Sequence, residues 1–511
     1  MSAVAGTTAA VTAVVPGRAA AAVAVAAPEQ EPTGASLAWT SDDPVVVEAR
    51  AMIKAGRLSD AEKLLGRDDP SASPAAKAAR AETVEIIART RYDYPVGSDA
   101  LLAQLRRRVP ALTAAQLDQW RKDGGVQWRT IDGKVAYFRR EPKNMARFCE
   151  PYQVLLAGRD RGGPGPTEAA GGWTLAAHLK RVVDDAERAG RPDVLPVKTT
   201  VKFSLTVPAD APGMKPGALV RAWLPFPQEY GKRQYGVRLI SASPSDPQVA
   251  PAAVGEHPLA GSPHRSAYFE QRVADPAKPV VFREAYEFTS QAYCPVLDEA
   301  KAQPLPASYA DGNLGERLPH IAFTPELKRT VDQIVGTQTN PLARARAIFR
   351  WIDANVAYHA EEAYSVLPSF SEACLGRRRG DCGIKGTLFI TMCRAAGVPA
   401  RWQSGWETKP GDWDMHDWAE FYVAPWGWLP ADVTAGVQKS DDPRIRDFYC
   451  GHQDSYRLIV NRDYGAPLVP PKASMRSDTA DFQSGEVEVD GRNLYVDKWD
   501  YAIDFAWDAK P

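Results

Sequence analysis

Histidine and cysteine are scarce, seven and six among 511 residues. The cysteines, at 149, 294, 374, 382, 393 and 450, lie far apart and form no CxxC pair. That spacing argues against a dense disulfide scaffold and against a zinc knuckle. One pair, such as Cys374 with Cys450, stays compatible with a bridge. An excess of either charge is also missing. The 62 Lys+Arg and 63 Asp+Glu leave a formal net charge of -1, so nothing overall points to a nucleic-acid partner. The short basic runs Arg106–Arg108 and Arg377–Arg379 are expected on solvated faces or loops. No uninterrupted apolar stretch reaches the ~18–20 residues of a membrane-spanning helix, apart from a weak alanine-rich start. That start, MSAVAGTTAAVTAVVPGRAAAAVAVAAPEQ, has no lysine and a single arginine, Arg18. It lacks the positive opening of an export signal, yet Ala24–Ala26 offers a small-residue A-x-A pattern. Residues 1–30 read either as an atypical signal peptide or as a disordered extension. Export to the periplasm or beyond is the expectation, with the cytoplasm as the alternative.

The rest is ordinary globular material, 44% hydrophobic and 24% charged, long enough for roughly three domains. Residues 40–155 read as mainly helical, closing on a hairpin in VQWRTIDGKVAYFRR around Asp132-Gly133. The stretch ARAMIKAGRLSDAEKLL resembles half a tetratricopeptide-type repeat, but no second copy follows. Residues 156–194 form a glycine-rich linker, a candidate lid, and a helix. Over 195–300 the apolar period changes to two (TTVKFSLTV, ALVRAWLPFP, GVRLISASP, SAYFEQRV, VVFREAYEFTSQAYC), which predicts an antiparallel, sandwich-like β domain. Residues 310–470 return to helices and then strands, an α+β core. In NPLARARAIFRWIDANVAY the spacing predicts an apolar stripe through Ala343, Ile348, Ile352 and Val356. Residues 471–511 contain further strands, with an edge hairpin in EVEVDGRNLYVDKW. The fold class is therefore multidomain α+β.

Two stretches carry chemistry. In RRRGDCGIKGTLFITMCRAAGVPARWQSGW, Asp381 can cap a helix that Leu388, Met392 and Ala395 continue and that Gly397 and Pro399 end. Cys382 then sits at the positive end of that helix, where a thiolate is favoured, and Gly383 keeps its surroundings small. In MHDWAEFYVAPWGWLPADVT, alternation places His416, Trp418, Glu420 and Tyr422 on one face and Asp417, Ala419, Phe421 and Val423 on the other. Pro425–Gly427 can turn the chain, so that Trp428, Pro430 and Asp432 return on a common face and Asp432 comes back close to His416. Cysteine as nucleophile, histidine as proton carrier and aspartate as its orienting group make a chemically complete set. The backbone N–H of Cys382 is one natural oxyanion donor. Should Asp432 point elsewhere, Asp417, Asp414 or Glu420 would be the next candidates. Glu420 also suits a salt bridge to Arg401. Nothing in this set requires a metal or a cofactor, since His416 has no histidine or cysteine neighbour at ligand spacing.

Taken together, GDCGIKGTLFITMCRAAGVPARWQSGW and HDWAEFYVAPWGWLPADVT resemble the core of the transglutaminase-like superfamily. Its pattern is a cysteine opening a helix that ends in R-A-x-G-[IV]-P-A-R, then H-x-W-x-E, then an aspartate after a G-W step. Here these are Cys382, Arg394–Arg401, His416, Trp418, Glu420, Gly427-Trp428 and Asp432. The resemblance covers about 320–470 and implies a papain-like Cys-His-Asp site. It departs mildly at Val433-Thr434, where a proline often follows the aspartate, and at Ala419, often larger or polar. It implies acyl transfer through a thioester: hydrolysis of peptide or amide bonds, or protein-glutamine crosslinking. A non-catalytic scaffold is the reading from a different class. The expected partner is a peptide, protein or peptide–glycan in a groove between domains. Tryptophans 402, 406, 413, 418, 426 and 428 crowd this region, and Trp413 or Trp418 is placed to shield His416. Tyr358, His359 and Tyr364 precede the nucleophile on a loop, with His359 expected at the surface.

Overall fold

The computed structural model describes residues 36–157, 172–255, 260–306, 309 and 312–508. The alanine-rich start and almost all of the candidate glycine-rich lid lie outside the described residues. After a single helical turn at Leu37–Thr40 come helices Pro44–Lys54, Leu58–Leu65, Pro74–Asp93, Ser98–Arg106 and Ala114–Lys122. The Pro44–Lys54 helix begins where Asp43 accepts the backbone N–H groups of Val45 and Val46 and proline follows at the first helical position, an arrangement that satisfies otherwise unpaired donors. The hairpin Trp128–Ile131 with Lys134–Tyr137 follows, and its turn residues Asp132 and Gly133 both have positive φ. Two helices that the sequence reading lacks, Glu141–Phe148 and Glu150–Ala157, come next. Each is only eight residues, too short to display a clear period.

The strands that follow build two antiparallel sheets. One runs Asp500–Trp507, Asp193–Val207, Val280–Tyr293, Gln234–Ser243; the other runs Arg492–Leu494, Glu486–Val489, Leu219–Pro225, Ser266–Arg272, Gln248–Val249. Inward residues of both, among them Phe203, Leu205, Val220, Leu224, Phe269 and Phe282, meet in one apolar cluster. Strands beyond residue 485 thus enter both sheets, and the hairpin at 486–494 lies at a sheet edge.

In the α+β core, Thr324 and Asn340 cap helices Pro325–Val335 and Pro341–Asn355. The second helix buries Leu342, Ala345, Ile348, Phe349 and Ile352. Ala343 is not in that stripe, because the apolar face runs through Leu342 and Phe349, seven residues apart and so nearly in line on a helix. The helix Cys382–Ala395 is buried from Gly383 to Arg394. It packs on a four-stranded antiparallel sheet ordered Gly427–Ala431, Asp412–Val423, Ala400–Lys409, Arg457–Asn461, with Phe389 set edge-on to Phe421 at 6.0 Å.

The N-terminal helices grip the loop that leads to this helix. Asn144 exchanges two 3.0 Å hydrogen bonds with the backbone of Ala360, Arg129 pairs with Glu362 at 2.7 Å, and Trp39 Nε1 donates to the Ser365 carbonyl at 2.8 Å. The run Arg377–Arg379 belongs to this seam and is not simply solvated. Arg377 reaches Glu361 and Glu362, Arg378 covers the Trp351 ring, and Arg379 donates to the Gly124 carbonyl. All six cysteines are free, so Cys374 and Cys450 form no bridge. Among the described residues no helix is long and apolar enough to cross a membrane.

Candidate active site

Cys382 opens its helix as the spacing suggests. Asp381 accepts the Ile384 N–H at 3.1 Å. Gly383 is required by its neighbours, since a Cβ there would lie 2.3 Å from the Tyr364 hydroxyl and 2.8 Å from both Asp417 Oδ2 and Trp402. Gly383→Ala is expected to cost about 1–3 kcal/mol through overpacking, read as a lowered urea midpoint at unchanged m-value.

His416 and Asp432 come together. The strand register pairs Tyr422 with Trp428 and Glu420 with Pro430. The returning chain therefore delivers Asp432 to the face that carries His416, and the ring Nε2 lies 2.7 Å from Asp432 Oδ2. Asp432 is over-determined. Its Oδ1 accepts the N–H groups of Thr434 and Ala435 at 3.0 and 2.9 Å, and its Oδ2 also accepts from Arg457 at 2.7 Å. Burial opposes its ionisation, but His416 and Arg457 hold its pKa well below the usual carboxylate range. Trp418 stacks beside His416 with ring centroids 5.9 Å apart and donates to Gln403. It is the tryptophan that shields the imidazole, whereas Trp413 is 39% exposed.

Arg457 and Glu407 escaped the sequence reading. Arg457 lies 3.0 Å from Glu407 Oε1, 2.7 Å from Asp432 and 3.4 Å from Asp454. Glu407, His416 and Asp432 gather ligand-type atoms within 4.8 Å of one another. The Arg457 guanidinium sits among those carboxylates and supplies the positive charge they need, so they do not make a fitting metal site. Sequence alone gives no signal for Arg457, which simply opens the buried strand RLIVN.

The thiol's surroundings differ from expectation. Cys382 is partly exposed, and its Sγ lies 3.3 Å from Asp417 Oδ2, on the residue next to His416. Burial, then Asp417 and Asp381, push the thiol pKa well above its ordinary value. The helix terminus alone favours a thiolate, but two nearby carboxyl groups outweigh it. His359 is fully buried against the rings of Phe138 and Phe148. Burial brings its pKa down to about 3, so it is neither a surface histidine nor a second base. Glu420, on the same strand face as His416, is tied into a buried ion-pair cluster. It pairs with Arg401 and Arg233, both at 2.8 Å, and accepts the Tyr230 hydroxyl. Burial opposes its ionisation, yet the two arginines bring its pKa down to about 2.

Residues 328–433 match the profile of the Transglutaminase-like superfamily. The relationship is distant and covers the Cys382 helix, His416 and Asp432. An uncharacterized protein of Haemophilus influenzae is 32% identical over 24% of this chain and 39% of its own length. The chain thus spans about two fifths of that curated relative. Among solved structures, a putative cysteine protease from Cytophaga hutchinsonii is 16% identical with a TM-score of 0.39, over 62% of this chain and 93% of its own. The periplasmic domain of TgpA from Pseudomonas aeruginosa is 18% identical with a TM-score of 0.23, over 45% and 93%.

Proposed function

We propose that the protein is a cysteine-dependent acyl-transfer enzyme that hydrolyses peptide or amide bonds, with Cys382 as nucleophile, His416 as general base and acid, and Asp432 as the group that orients the histidine. The observation that carries this reading is the 2.7 Å bond between His416 Nε2 and Asp432, on a strand against which the helix opened by Cys382 packs. With Nε2 committed to the carboxylate, Nδ1 is the ring atom that serves the thiol. In the proposed cycle the sulfur attacks the carbonyl carbon and its proton passes to His416. The C–N bond then breaks as His416 returns that proton to the departing amine, leaving a thioester. His416 next takes a proton from water, and the resulting attack releases the acid and restores the thiol. The Cys382 backbone N–H is the proposed oxyanion donor.

Hydrolysis is preferred to protein-glutamine crosslinking because water is always at hand, whereas crosslinking needs a held amine in a water-excluding site. We read the two β sheets as a sandwich beside a papain-like core, with an extended peptide or peptide–glycan lying along a groove between them. Exposed aromatic faces at Trp413 and Tyr358 suit apolar side chains or sugar rings. A periplasmic or secreted setting fits such a substrate.

The test is to trap the acyl-enzyme from a mixed peptide and glycopeptide library and identify the adduct by mass spectrometry. An acyl group on Cys382 is expected, absent in Cys382→Ser and reduced at least about 10²-fold in His416→Ala, the size of a lost general base. Incorporation of a labelled amine faster than release of free acid would favour crosslinking. A wild type that forms no acyl-enzyme with any member of the library would leave only the scaffold reading.

A further inference from the structure

Asp417 stands on the strand face opposite His416 and has no part in the cycle above. Its carboxyl is nevertheless anchored on several sides. One oxygen, Oδ2, meets the Cys382 sulfur at 3.3 Å. The other, Oδ1, accepts from Gln483 Nε2 at 2.8 Å, and the same amide group donates to the backbone carbonyl of His416 at 2.9 Å. Asp417 and Asp481 are both buried, and each acts on the other's ionisation. Asp481 Oδ1 in turn accepts from Ser404 Oγ at 2.7 Å, Asn461 Nδ2 at 2.8 Å and its neighbour's N–H, that of Phe482, at 2.7 Å. Gln483 and Asp481 lie well outside the stretch that matches the superfamily profile, 328–433.

We propose that Asp417 is a positioning residue for the nucleophile: its carboxyl accepts the Cys382 S–H and holds the thiol at rest, and Asp481 and Gln483 fix that carboxyl in place. This rests on the reading of Cys382 as the nucleophile. The chemistry follows from the neighbours. Two buried carboxyl groups that act on each other cannot both ionise readily, so the pair holds one proton and one negative charge between them. Burial and Asp481, with Asp381, raise Asp417 well above the usual carboxylate range. Burial and Asp478 bring Asp481 up to about 7. The charged and titratable groups that act on the thiol are Asp381 from the helix cap, Asp417 from the strand, Tyr358 and Tyr364 from the preceding loop, and Lys385 one turn along. Tyr364 donates to Asp381 Oδ1 at 2.8 Å and reaches Asp417 Oδ2 at 3.4 Å, tying the two carboxyl groups together. Lys385 is the single positive charge of this set, and its pKa is itself lowered by burial. A thiolate is therefore opposed until the Sγ–Asp417 contact is broken. A substrate carbonyl that enters above the sulfur and displaces that contact releases the S–H to His416, while the proton shared by Asp417 and Asp481 stays with the pair.

The experiment follows iodoacetamide alkylation of Cys382 in the full chain across pH, read by peptide mass mapping so that the other five cysteines do not interfere. Asp417→Asn takes the pair's shared negative charge off the group that touches the sulfur, and is expected to lower the midpoint of the profile by about one unit, so that alkylation at pH 7 is about tenfold faster. Gln483→Leu leaves every carboxyl in place and is expected to move the midpoint the same way by less. An Asp417→Asn midpoint equal to wild type would overturn the proposal. If Asp417→Asn does not fold, an unshifted Gln483→Leu midpoint would do the same. The profile is read without substrate. A wild type that forms no acyl-enzyme therefore defeats the proposed activity and leaves the midpoint shift to stand or fall by itself.

Discussion

Replacing Arg457 with leucine is expected to destabilise the core by about 3–5 kcal/mol, the cost of removing one partner from a buried ion pair. One guanidinium answers Glu407, Asp432 and Asp454, and all three would lose it together. Chemical unfolding gives the size of the loss. Its pH dependence gives the mechanism. Asp432 has a folded pKa well below its ordinary 3.8. The stability it contributes is therefore fully present above that value and is lost as pH falls through the folded pKa. Without Arg457 the folded pKa rises toward the unfolded one, so the acid-dependent loss from Asp432 is smaller and is complete at a higher pH. Arg457→Lys keeps a charge but not the planar fork, and is expected to lie between wild type and leucine. A leucine variant with the stability and acid limb of wild type would show that the three carboxylates have another counter-charge.

The second large effect is expected at Glu420. Glu420→Ala leaves Arg233 and Arg401 buried without their shared carboxylate, at a comparable cost of about 3–5 kcal/mol. Arg233 also donates to the Trp428 carbonyl at 2.6 Å, and the Arg401 guanidinium lies 3.8 Å from the centre of the Trp428 ring. The network therefore fastens the hairpin that carries His416 to Tyr230 and Arg233 of the neighbouring β region. Glu420→Gln retains an acceptor for Tyr230 and is expected to lose less. Melting curves with the acyl-enzyme assay separate the two consequences: a loosened hairpin loses trapping below its own unfolding temperature, whereas an intact one loses both together.

The sequence was most informative where the physics is local. The Asp381 cap, the start of the helix at Cys382 and the turn at Gly427 follow from neighbouring residues and backbone preferences. The meeting of His416 with Asp432 follows from strand alternation across one short hairpin. The longer strands between residues 195 and 300 could be anticipated, because alternation survives over seven residues or more, but the entry of residues 486–507 into both sheets could not. What could not be read arrives from far along the chain. Arg457, Asp481 and Gln483 reach the site through tertiary pairing, and each looks like an ordinary polar residue in its own stretch. The elevated thiol pKa depends on burial beside Asp417, and a sequence gives parity but not depth. His359 failed for the same reason, since the rings that cover it belong to residues 138 and 148. Ala343 failed because several helical phases fit a stretch with alanines at successive turns.

Strand Asp500–Trp507 pairs with Asp193–Val207, and Glu486–Val489 with Leu219–Pro225, so each sheet closes only across a separation of roughly 270–300 residues. Asp481 and Gln483 belong to the same late-arriving stretch. During synthesis the thiol, the imidazole and their aspartate are all made before either sheet can close, and before the groups that restrain the thiol exist. A cut anywhere between residues 470 and 480 would remove one strand or more from each sheet and the anchors of Asp417 in a single event. Completion of the fold and arrival of the groups around Asp417 are therefore one step, and a population of this protein that has finished folding is also one in which the surroundings of Cys382 are complete.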